Sequence, residues 1–272
     1  MALWDIMGKA AERPVHALLG GAVHDRIGYH GFAMGADAAE IAAEAGRLAA
    51  NGLDVIYIKG GRGLEEDVET VARVREAIGP RARLRIDPNE SWSPLAARQA
   101  IARMAPHDLE FVEQPCNCES IPALAQIRAV STVGIAADQW VFTPFEAFEV
   151  CRSGAADLIV IGPHETGGLA GMAALARVAE AAGLNICIRG LYETGITACA
   201  AHQLAATCPN LDDGNQNMIA FLEWDIIARP DRRPKQGSLA VLTAPGLGFE
   251  LDTDAVARVA ELHRRSGPAT AG

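Results

Sequence analysis

Residues 84–113 read LRIDPNESWSPLAARQAIARMAPHDLEFVE, and this stretch shows the pattern that decides the fold. Two short apolar runs, 84–87 and 109–113, each end in an acid, and between them residues 94–104 have apolar side chains at helical spacing. A strand, an amphipathic helix and a second strand in this order indicate a βαβ unit, in which the two strands are parallel. The stretch therefore predicts parallel strands with acids at their carboxyl ends.

The same alternation extends from about residue 27 to about residue 215, at roughly one unit per 25 to 30 residues. Strands are predicted at 27–32, 55–59, 84–87, 109–113, 133–138, 158–161 and 185–188, with a weaker eighth near Leu211. Predicted helices include 38–51, 64–78, 94–104, 144–153, 172–182 and 195–207. Seven or eight such units favour an α/β fold of the TIM-like (β/α)8 or (β/α)7β barrel type, although periodicity alone leaves an open sheet possible.

The composition narrows the class of partner. The chain has 272 residues, half of them apolar, and a net charge of −10. That charge argues against nucleic acid or an anionic membrane as the main partner, so we expect a small-molecule substrate. The six cysteines lie mostly in apolar or helical contexts, and Cys116 and Cys118 lack the two-residue spacer of zinc and redox motifs. Reduced thiols and the absence of a signal peptide or a long apolar segment predict a cytoplasmic location.

Four adjacent predicted strands end in charged residues, namely Lys59, Asp87, Glu113 and Asp138. The three acids recur at intervals of 26 and 25 residues, one barrel unit each, and a barrel carries its chemistry at the carboxyl ends of its strands. Three converging carboxylates repel one another, and Mg²⁺ is the simplest neutraliser because it accepts oxygen ligands. Lys59 would lie beside this ion, which favours the neutral amine that acts as a base. The alternative is that each acid caps a helix or pairs with an arginine.

Several short motifs in these positions resemble the mandelate racemase and muconate lactonizing enzyme family of the enolase superfamily. The opening stretches 2–10 and 14–21 resemble the helix that leads into the barrel of that family. The successive barrel motifs are Asp87-Pro88-Asn89, Val112-Glu113-Gln114-Pro115, Ala137-Asp138 and Gly167-Gly168-Leu169. The resemblance covers nearly the whole chain, and the motifs together are specific although each alone is weak.

The resemblance implies a Mg²⁺ cofactor bound by Asp87, Glu113 and Asp138. The ion would also bind the carboxylate of a small substrate. A base would remove the proton on the adjacent carbon, and the metal would stabilise the resulting enediolate. Lys59 matches the second lysine of the Lys-x-Lys motif of the family, whereas Tyr57 replaces the first.

Other positions are expected to complete the site. Asn89 and Glu193 match family positions that would contact substrate, and His30, at the end of the first predicted strand, is a further candidate. Asp212, Asp213 and Asn215 lie where the eighth strand should end, where they either line the site or cap a helix.

The residues expected on the side of the substrate opposite Lys59 differ from those of the family. Gly162 stands where one branch has a second lysine and another an aspartate, and Arg189 stands where the latter has a histidine. Arginine stays protonated and is a poor base, although it can hold a carboxylate or a leaving oxygen. His164 is the nearest titratable replacement and could protonate a leaving hydroxyl, although a histidine in such a loop is more often a simple hydrogen-bonding residue.

A reaction with one base and one acid fits these residues best, so we predict dehydration of a hydroxy acid or acid sugar. The alternatives are a racemase, an epimerase or a cycloisomerase and, from another class, a catalytically inactive barrel. We divide the chain into a lead-in helix (1–28), the barrel (29–235) and a strand pair with a helix (236–272). Members of the family carry an N-terminal capping domain, and the expectation is that Met1 is an internal methionine of a longer ancestor. The last segment would pack on that cap, and an intact parent is expected to form a homo-oligomer.

Overall fold

The protein is described by a computed structural model. It describes residues 1–117, 119–234 and 236–266, and of Ser266 it describes the backbone. Its strands are β1 (Arg26–Gly28), β2 (Gly31–Ala33), β3 (Val55–Lys59), β4 (Arg83–Asp87), β5 (Leu109–Glu113), β6 (Gly134–Ala137), β7 (Leu158–Ile161), β8 (Asn185–Ile188), β9 (Ile227–Arg229), β10 (Ser238–Ala240) and β11 (Glu250–Leu251). Its α-helices are α1 (Ala2–Ala10), α2 (Val15–Leu18), α3 (Ala38–Ala50), α4 (Leu64–Ile78), α5 (Pro94–Met104), α6 (Ile121–Val130), α7 (Pro144–Ser153), α8 (Leu169–Ala181), α9 (Gly195–Ala205) and α10 (Thr253–Ser266). Short 3-10 helices lie at Ala105–His107 and Met218–Phe221.

Strands β2 to β8 form one parallel sheet in chain order, with helices α3 to α8 in the connections between them. An irregular segment, 210–216, closes the sheet into a barrel. Leu211 bridges Ile186 of β8, and Asn215 bridges Tyr29 just before β2, both in parallel. This segment takes the place of the weak eighth strand expected near Leu211, and the prediction of a TIM-like (β/α)8 or (β/α)7β barrel is confirmed.

The boundaries follow from ordinary capping chemistry. Ser93 accepts a hydrogen bond from the backbone N–H of Ala96 and is followed by proline, which starts α5. Thr143 and Glu146 form a reciprocal capping box at the start of α7. Both helices begin where their proline was predicted to start them.

Two predicted elements differ from the structure. The first strand, predicted as 27–32, is two strands: β1 pairs antiparallel with β10, and β2 enters the barrel. The second is the strand pair predicted within 236–272. Its two strands do not pair with each other, because β10 pairs with β1 and β11 pairs with β9. Alternating side chains cannot show which partner a short strand chooses. The division of the chain into three parts stays a prediction.

The core has two layers. The larger lies between the sheet and the helices and includes Ile56, Ile58, Ile86 and Val112. The smaller lies inside the barrel and is made of Phe111, Ala136, Leu158, Val160 and Cys187.

Cysteines and apolar helices also bear on the sequence predictions. The five described cysteines, Cys116, Cys151, Cys187, Cys199 and Cys208, are free thiols, whereas Cys118 lies outside the described residues. No helix within the described ranges is long and apolar enough to cross a bilayer.

Candidate active site

The barrel brings four predicted side chains to one end. Lys59, Asp87 and Glu113 are the last residues of β3, β4 and β5, and Asp138 directly follows β6. Lys59 and Asp87 face each other in register across β3 and β4. The three acids are 1–3% exposed, whereas the Lys59 side chain is 42% exposed. The arrangement places a reachable amine beside buried carboxylates.

Asp87 is the most strongly bonded of the acids. Its Oδ2 accepts hydrogen bonds from Lys59 Nζ at 2.5 Å and from the Tyr57 hydroxyl at 2.8 Å. Its Oδ1 accepts one from the backbone N–H of Asn89 at 2.7 Å. Lys59 also donates to Asn89 Oδ1 at 2.6 Å. Tyr57, Lys59, Asp87 and Asn89, four residues singled out from sequence, therefore form one hydrogen-bonded group.

Glu113 and Asp138 have oxygens that lack such partners. Glu113 Oε1 accepts a long bond of 3.4 Å from Gln216 Nε2. Glu113 Oε2 and Asp138 Oδ1 are buried and accept no hydrogen bond within the described part of the chain. Asp138 Oδ1 lies 3.1 Å from Arg189 Nε, an ion pair by distance whose geometry does not make a hydrogen bond. Unsatisfied buried carboxylate oxygens are costly and are the ligands that a hard cation prefers.

Burial and the negative charge of neighbouring acids together raise the pKa values of groups in the site. Burial raises the pKa of Glu113 well above its ordinary value, and the neighbouring Asp87 and Asp138 raise it further. Burial also raises the pKa of Asp138, to about 7, because the opposing effect of Arg189 is too small to offset burial and the charge of Asp87. Burial, together with Asp87 and Glu113, raises the pKa of Tyr57 well above its usual value, so its hydroxyl stays a donor. A cation beside these acids would favour their ionised forms.

The acids do not yet form a metal cage. Across the described residues, no three or more His, Cys, Asp or Glu side chains are gathered so that they could hold a metal ion. Asp87 Oδ2 instead accepts hydrogen bonds from Lys59 and Tyr57. Assignment of Mg²⁺ to Asp87, Glu113 and Asp138 stays a prediction.

Arg189 and Glu165 lie on the other side of the barrel mouth. Arg189, just beyond β8, is 8% exposed, and its guanidinium lies over the Phe142 ring at 5.5 Å. Arg189 Nη2 lies 3.6 Å from Glu165 Oε2. The sequence interpretation singled out Arg189 and overlooked Glu165, whose only signal is an acid two residues before Gly167-Gly168.

The three remaining candidates lie in different surroundings. His30 is buried, stacks on Tyr57 at 4.4 Å between ring centroids, and its Nδ1 lies 3.1 Å from the Gly214 carbonyl oxygen. Burial lowers the pKa of His30 well below its ordinary value, and Arg85 adds to the effect, so the ring is neutral. Glu193 is buried and accepts the backbone N–H of Leu191 at 2.5 Å. His164 is exposed.

Asp212 and Asn215, in the segment 210–216 that closes the barrel, make structural hydrogen bonds. Asp212 Oδ1 accepts a bond of 2.5 Å from Arg85, which is fully buried inside the barrel. Asn215 bonds the backbone of Gly28 and Ile188 on either side, at 3.0 and 2.8 Å. Asp212 and Asn215 therefore hold the barrel closed, whereas Gln216, which was not predicted, reaches Glu113.

Known proteins are similar to this chain along most of its length. The family model described as "Enolase C-terminal domain-like" matches residues 40–255. A muconate cycloisomerase of Rhodococcus opacus is 31% identical over 258 residues, which cover 94% of this chain and 69% of that protein. A probable glucarate dehydratase of Streptomyces coelicolor is 31% identical over 287 residues, covering 97% of this chain and 64% of that protein.

A solved structure is similar over the whole barrel. The dipeptide epimerase from Cytophaga hutchinsonii, complexed with Mg and the dipeptide D-Ala-L-Val, has a TM-score of 0.90 and 26% sequence identity. The match covers 94% of this chain and 70% of that one. The chain thus spans about two thirds of the length of these relatives.

Proposed function

The chain belongs to the mandelate racemase and muconate lactonizing enzyme family of the enolase superfamily, and from this premise we propose that it removes the proton α to a substrate carboxylate. The relatives carry out proton-abstraction chemistry of this superfamily, with isomerases, epimerases and dehydratases among them. For this chain we propose a Mg²⁺-dependent reaction that dehydrates a hydroxy acid or acid sugar. The observation that carries the proposal is the buried group of three strand-end acids beside the amine of Lys59.

The chemistry of the three acids supports Mg²⁺. Glu113 Oε2 and Asp138 Oδ1 are buried oxygens without hydrogen bonds in the described ranges, and hard dications take such ligands. Asp87 would supply the third carboxylate. Bound there, Mg²⁺ would neutralise the negative charge that develops on the substrate carboxylate as its α-proton leaves. The Mg complex of the similar dipeptide epimerase structure also supports this assignment.

Lys59 is the proposed base. Its Nζ lies 2.5 Å from Asp87 Oδ2 and 2.6 Å from Asn89 Oδ1, two acceptors that fix the position of the amine at the mouth of the barrel. Because the side chain is 42% exposed, a substrate can reach the amine. An uncharged Lys59 would take the α-proton, and Asn89 would keep the amine aimed at the same point before and after transfer.

Arg189 is proposed to bind substrate and to take no proton. Its Nε and Nη2 are buried and make no hydrogen bond to any part of the chain that the structure describes. A guanidinium with free N–H groups can hold a carboxylate or polarise a leaving hydroxyl. Lys59 is then the one strong base, and the Arg189 cation lies on the opposite side of the barrel mouth. This arrangement favours elimination of water.

Epimerisation is the second candidate, because the similar epimerase structure has a TM-score of 0.90. We keep the cytoplasmic location, the homo-oligomer, the cap-packing segment and the contacts of His30, Tyr57, Asn89 and Glu193 with substrate as predictions. The role of His164 as the acid also stays a prediction. An inactive barrel remains the alternative of another class.

The proposal is tested by proton exchange in deuterated buffer. The protein is incubated with Mg²⁺ and a probe panel of glucarate, tartrate and the dipeptide L-Ala-L-Glu, and mass spectrometry follows deuterium at the α-carbon together with loss of water. Wild type is expected to dehydrate at least one hydroxy acid, and Lys59→Ala to lose at least about 1,000-fold in rate, since the base that forms the anion is gone.

Lys9→Ala is the matched control. Lys9 is 53% exposed and pairs with Asp5 on α1, away from the barrel mouth, so its removal should leave the rate unchanged. Inversion of the dipeptide without dehydration would replace the dehydratase proposal with an epimerase. Absence of exchange for every probe would favour the inactive barrel.

A further inference from the structure

We propose that Glu165 is the acid–base group on the side of the substrate opposite Lys59, in the space that a side chain at position 162 would fill. The inference rests on the proposed function and deepens it. It assigns a proton donor to a site whose sixth strand ends in a glycine.

The order of the strands places the two groups on opposite sides. Lys59 ends β3, and Glu165 lies in the loop that follows β7. In the closed ring formed by β2 to β8 and segment 210–216, β3 and β7 are four positions apart, which is half the circumference. A substrate at the centre of the mouth would therefore have Lys59 on one face and the β7 loop on the other.

Gly162 leaves a space that the carboxylate of Glu165 borders. A Cβ built at position 162 would lie 3.3 Å from Glu165 Oε2 and 3.4 Å from the backbone oxygen of Arg189. A long side chain at that strand end would collide with this carboxylate or displace it. Glu165 thus brings a titratable group to the place where the strand itself offers none.

The loop holds Glu165 in this position. Thr166 Oγ1 donates to the Gly162 carbonyl at 2.8 Å, and the backbone N–H of Gly168 donates to the Pro163 carbonyl at 3.0 Å. The N–H of Arg189 donates to the Ile161 carbonyl at 2.8 Å, which ties the end of β7 to the residue that faces Glu165. The turn is short and internally bonded, so the backbone at Glu165 is held relative to the strand ends.

The surroundings of Glu165 leave one of its carboxylate oxygens without a hydrogen bond, so that it can contact a substrate. Glu165 Oε2 is buried and accepts no hydrogen bond in any described segment, although it lies 3.6 Å from Arg189 Nη2. Arg189 also lies 3.1 Å from Asp138 Oδ1, so one guanidinium stands between the proposed metal ligand and Glu165. The neighbouring His164, the acid expected from sequence, is exposed. Glu165 is therefore the better placed of the two.

The proton balance of the proposed step is simple. The uncharged amine of Lys59 takes the α-proton, and the bond from the β-carbon to its hydroxyl breaks with both electrons leaving on oxygen. Glu165, entering as the carboxylic acid, gives its proton to that oxygen, and water leaves. When the α-carbon also carries a hydroxyl, as in an acid sugar, the organic product is an enol that tautomerises to the keto acid. Lys59 ends as the ammonium and Glu165 as the carboxylate, and solvent returns one proton from the first to the second.

The experiment separates abstraction from donation. Glu165→Gln is assayed in deuterated buffer with Mg²⁺ and with the panel probe that wild type converts, and both product formation and α-deuterium in recovered substrate are measured. Product formation is expected to fall about 100-fold or more, the usual contribution of a general acid. Exchange at the α-carbon should stay within a few-fold of wild type with retained configuration, because Lys59 returns the deuteron to the face from which it took the proton.

Glu149→Gln is the matched control, since Glu149 is an exposed acid paired with Arg152 on the outer helix α7. It should match wild type in both measurements. If wild type inverts the dipeptide instead, Glu165→Gln should lose inversion and keep exchange.

Three results would overturn the assignment. Product formation by Glu165→Gln at the wild-type rate would show that another group donates the proton, with the proposed function intact. Loss of exchange together with product would show that Glu165 only shapes the site. If wild type itself exchanges no probe, the proposed function fails and the assignment fails with it.

Discussion

Two groups of buried charged side chains in the barrel differ in how fully their polar atoms are hydrogen-bonded. Arg85 is fully buried, yet its Nε, Nη1 and Nη2 donate to Glu110 at 2.6 Å, the Gly214 carbonyl at 2.7 Å and Asp212 at 2.5 Å. We call these residues the Arg85 cluster. At the mouth, Glu113, Asp138 and Arg189 are also buried, but each keeps a polar atom without a hydrogen bond among the described residues.

The difference indicates two roles. The Arg85 cluster stabilises the barrel, whereas the residues at the mouth serve binding and reaction. A buried charge is tolerated when its partners satisfy it, as in the Arg85 cluster, which joins β4 to the closing segment of the barrel. At the mouth, buried oxygens and N–H groups have no hydrogen bonds, which costs folding free energy. Binding of a cation and a substrate can satisfy these groups. If this contrast is correct, damage to the Arg85 cluster should change stability, and damage at the mouth should change binding and reaction.

The largest expected effect on stability comes from Arg85→Met. The substitution leaves Asp212 buried without its cation, and breaking a buried ion pair from one side costs about 3 to 5 kcal/mol. Urea denaturation followed by circular dichroism measures the free energy of unfolding.

The neighbouring Arg83→Met is the control for this change. Arg83 is 35% exposed and pairs with Glu110 and Asp213 at the surface, so its loss should cost about 1 kcal/mol or less. Equal losses for the two variants would mean that the Arg85 cluster is no more structural than a surface pair.

The next effect concerns pH. In the metal-free protein the pKa of Asp138 is raised from 3.8 to about 7, so the folded state keeps a proton that the unfolded state releases. The free energy of unfolding should therefore fall as the pH rises from about 4 to about 7 and then level off with respect to this group. Urea denaturation at several pH values in EDTA measures the slope.

Asp138→Asn should reduce this decline, because the amide does not titrate. Saturating Mg²⁺ should counter it in wild type, since the ion binds the ionised form. A wild-type stability that rises with pH relative to Asp138→Asn would contradict the predicted sign.

The smallest effect is expected from Tyr57→Phe. The change removes the 2.8 Å hydrogen bond to Asp87 and leaves the ring stacked on His30. Loss of a partner that orients a metal ligand costs about tenfold in metal affinity or more, so Mg²⁺ binding should weaken about tenfold with little change in stability. A tighter site would show instead that Tyr57 competes with the ion for Asp87.

The fold was predictable because one pattern repeats. The apolar strand and amphipathic helix of 84–113 recur along the chain, and capping residues such as Ser93 and Thr143 mark the helix starts. The split of the first strand was not predictable, because three-residue strands such as β1 carry too few alternating positions to show their partners.

The candidate site was predictable where residues end strands. Lys59, Asp87, Glu113 and Asp138 met at one end of the barrel because parallel strands present their carboxyl ends together. Glu165 was missed because it reaches the mouth from a loop, and a loop residue has no periodic position to reveal its direction.

The central claim is that the three acids hold Mg²⁺, and calorimetric titration of the metal-free protein tests it most directly. We expect wild type to bind one Mg²⁺ per chain and Asp87→Ala to bind at least about 100-fold more weakly, whereas Asp213→Ala, at a position 70% exposed, should bind like wild type. Equal affinity of Asp87→Ala and wild type, or no binding by wild type, would contradict the account.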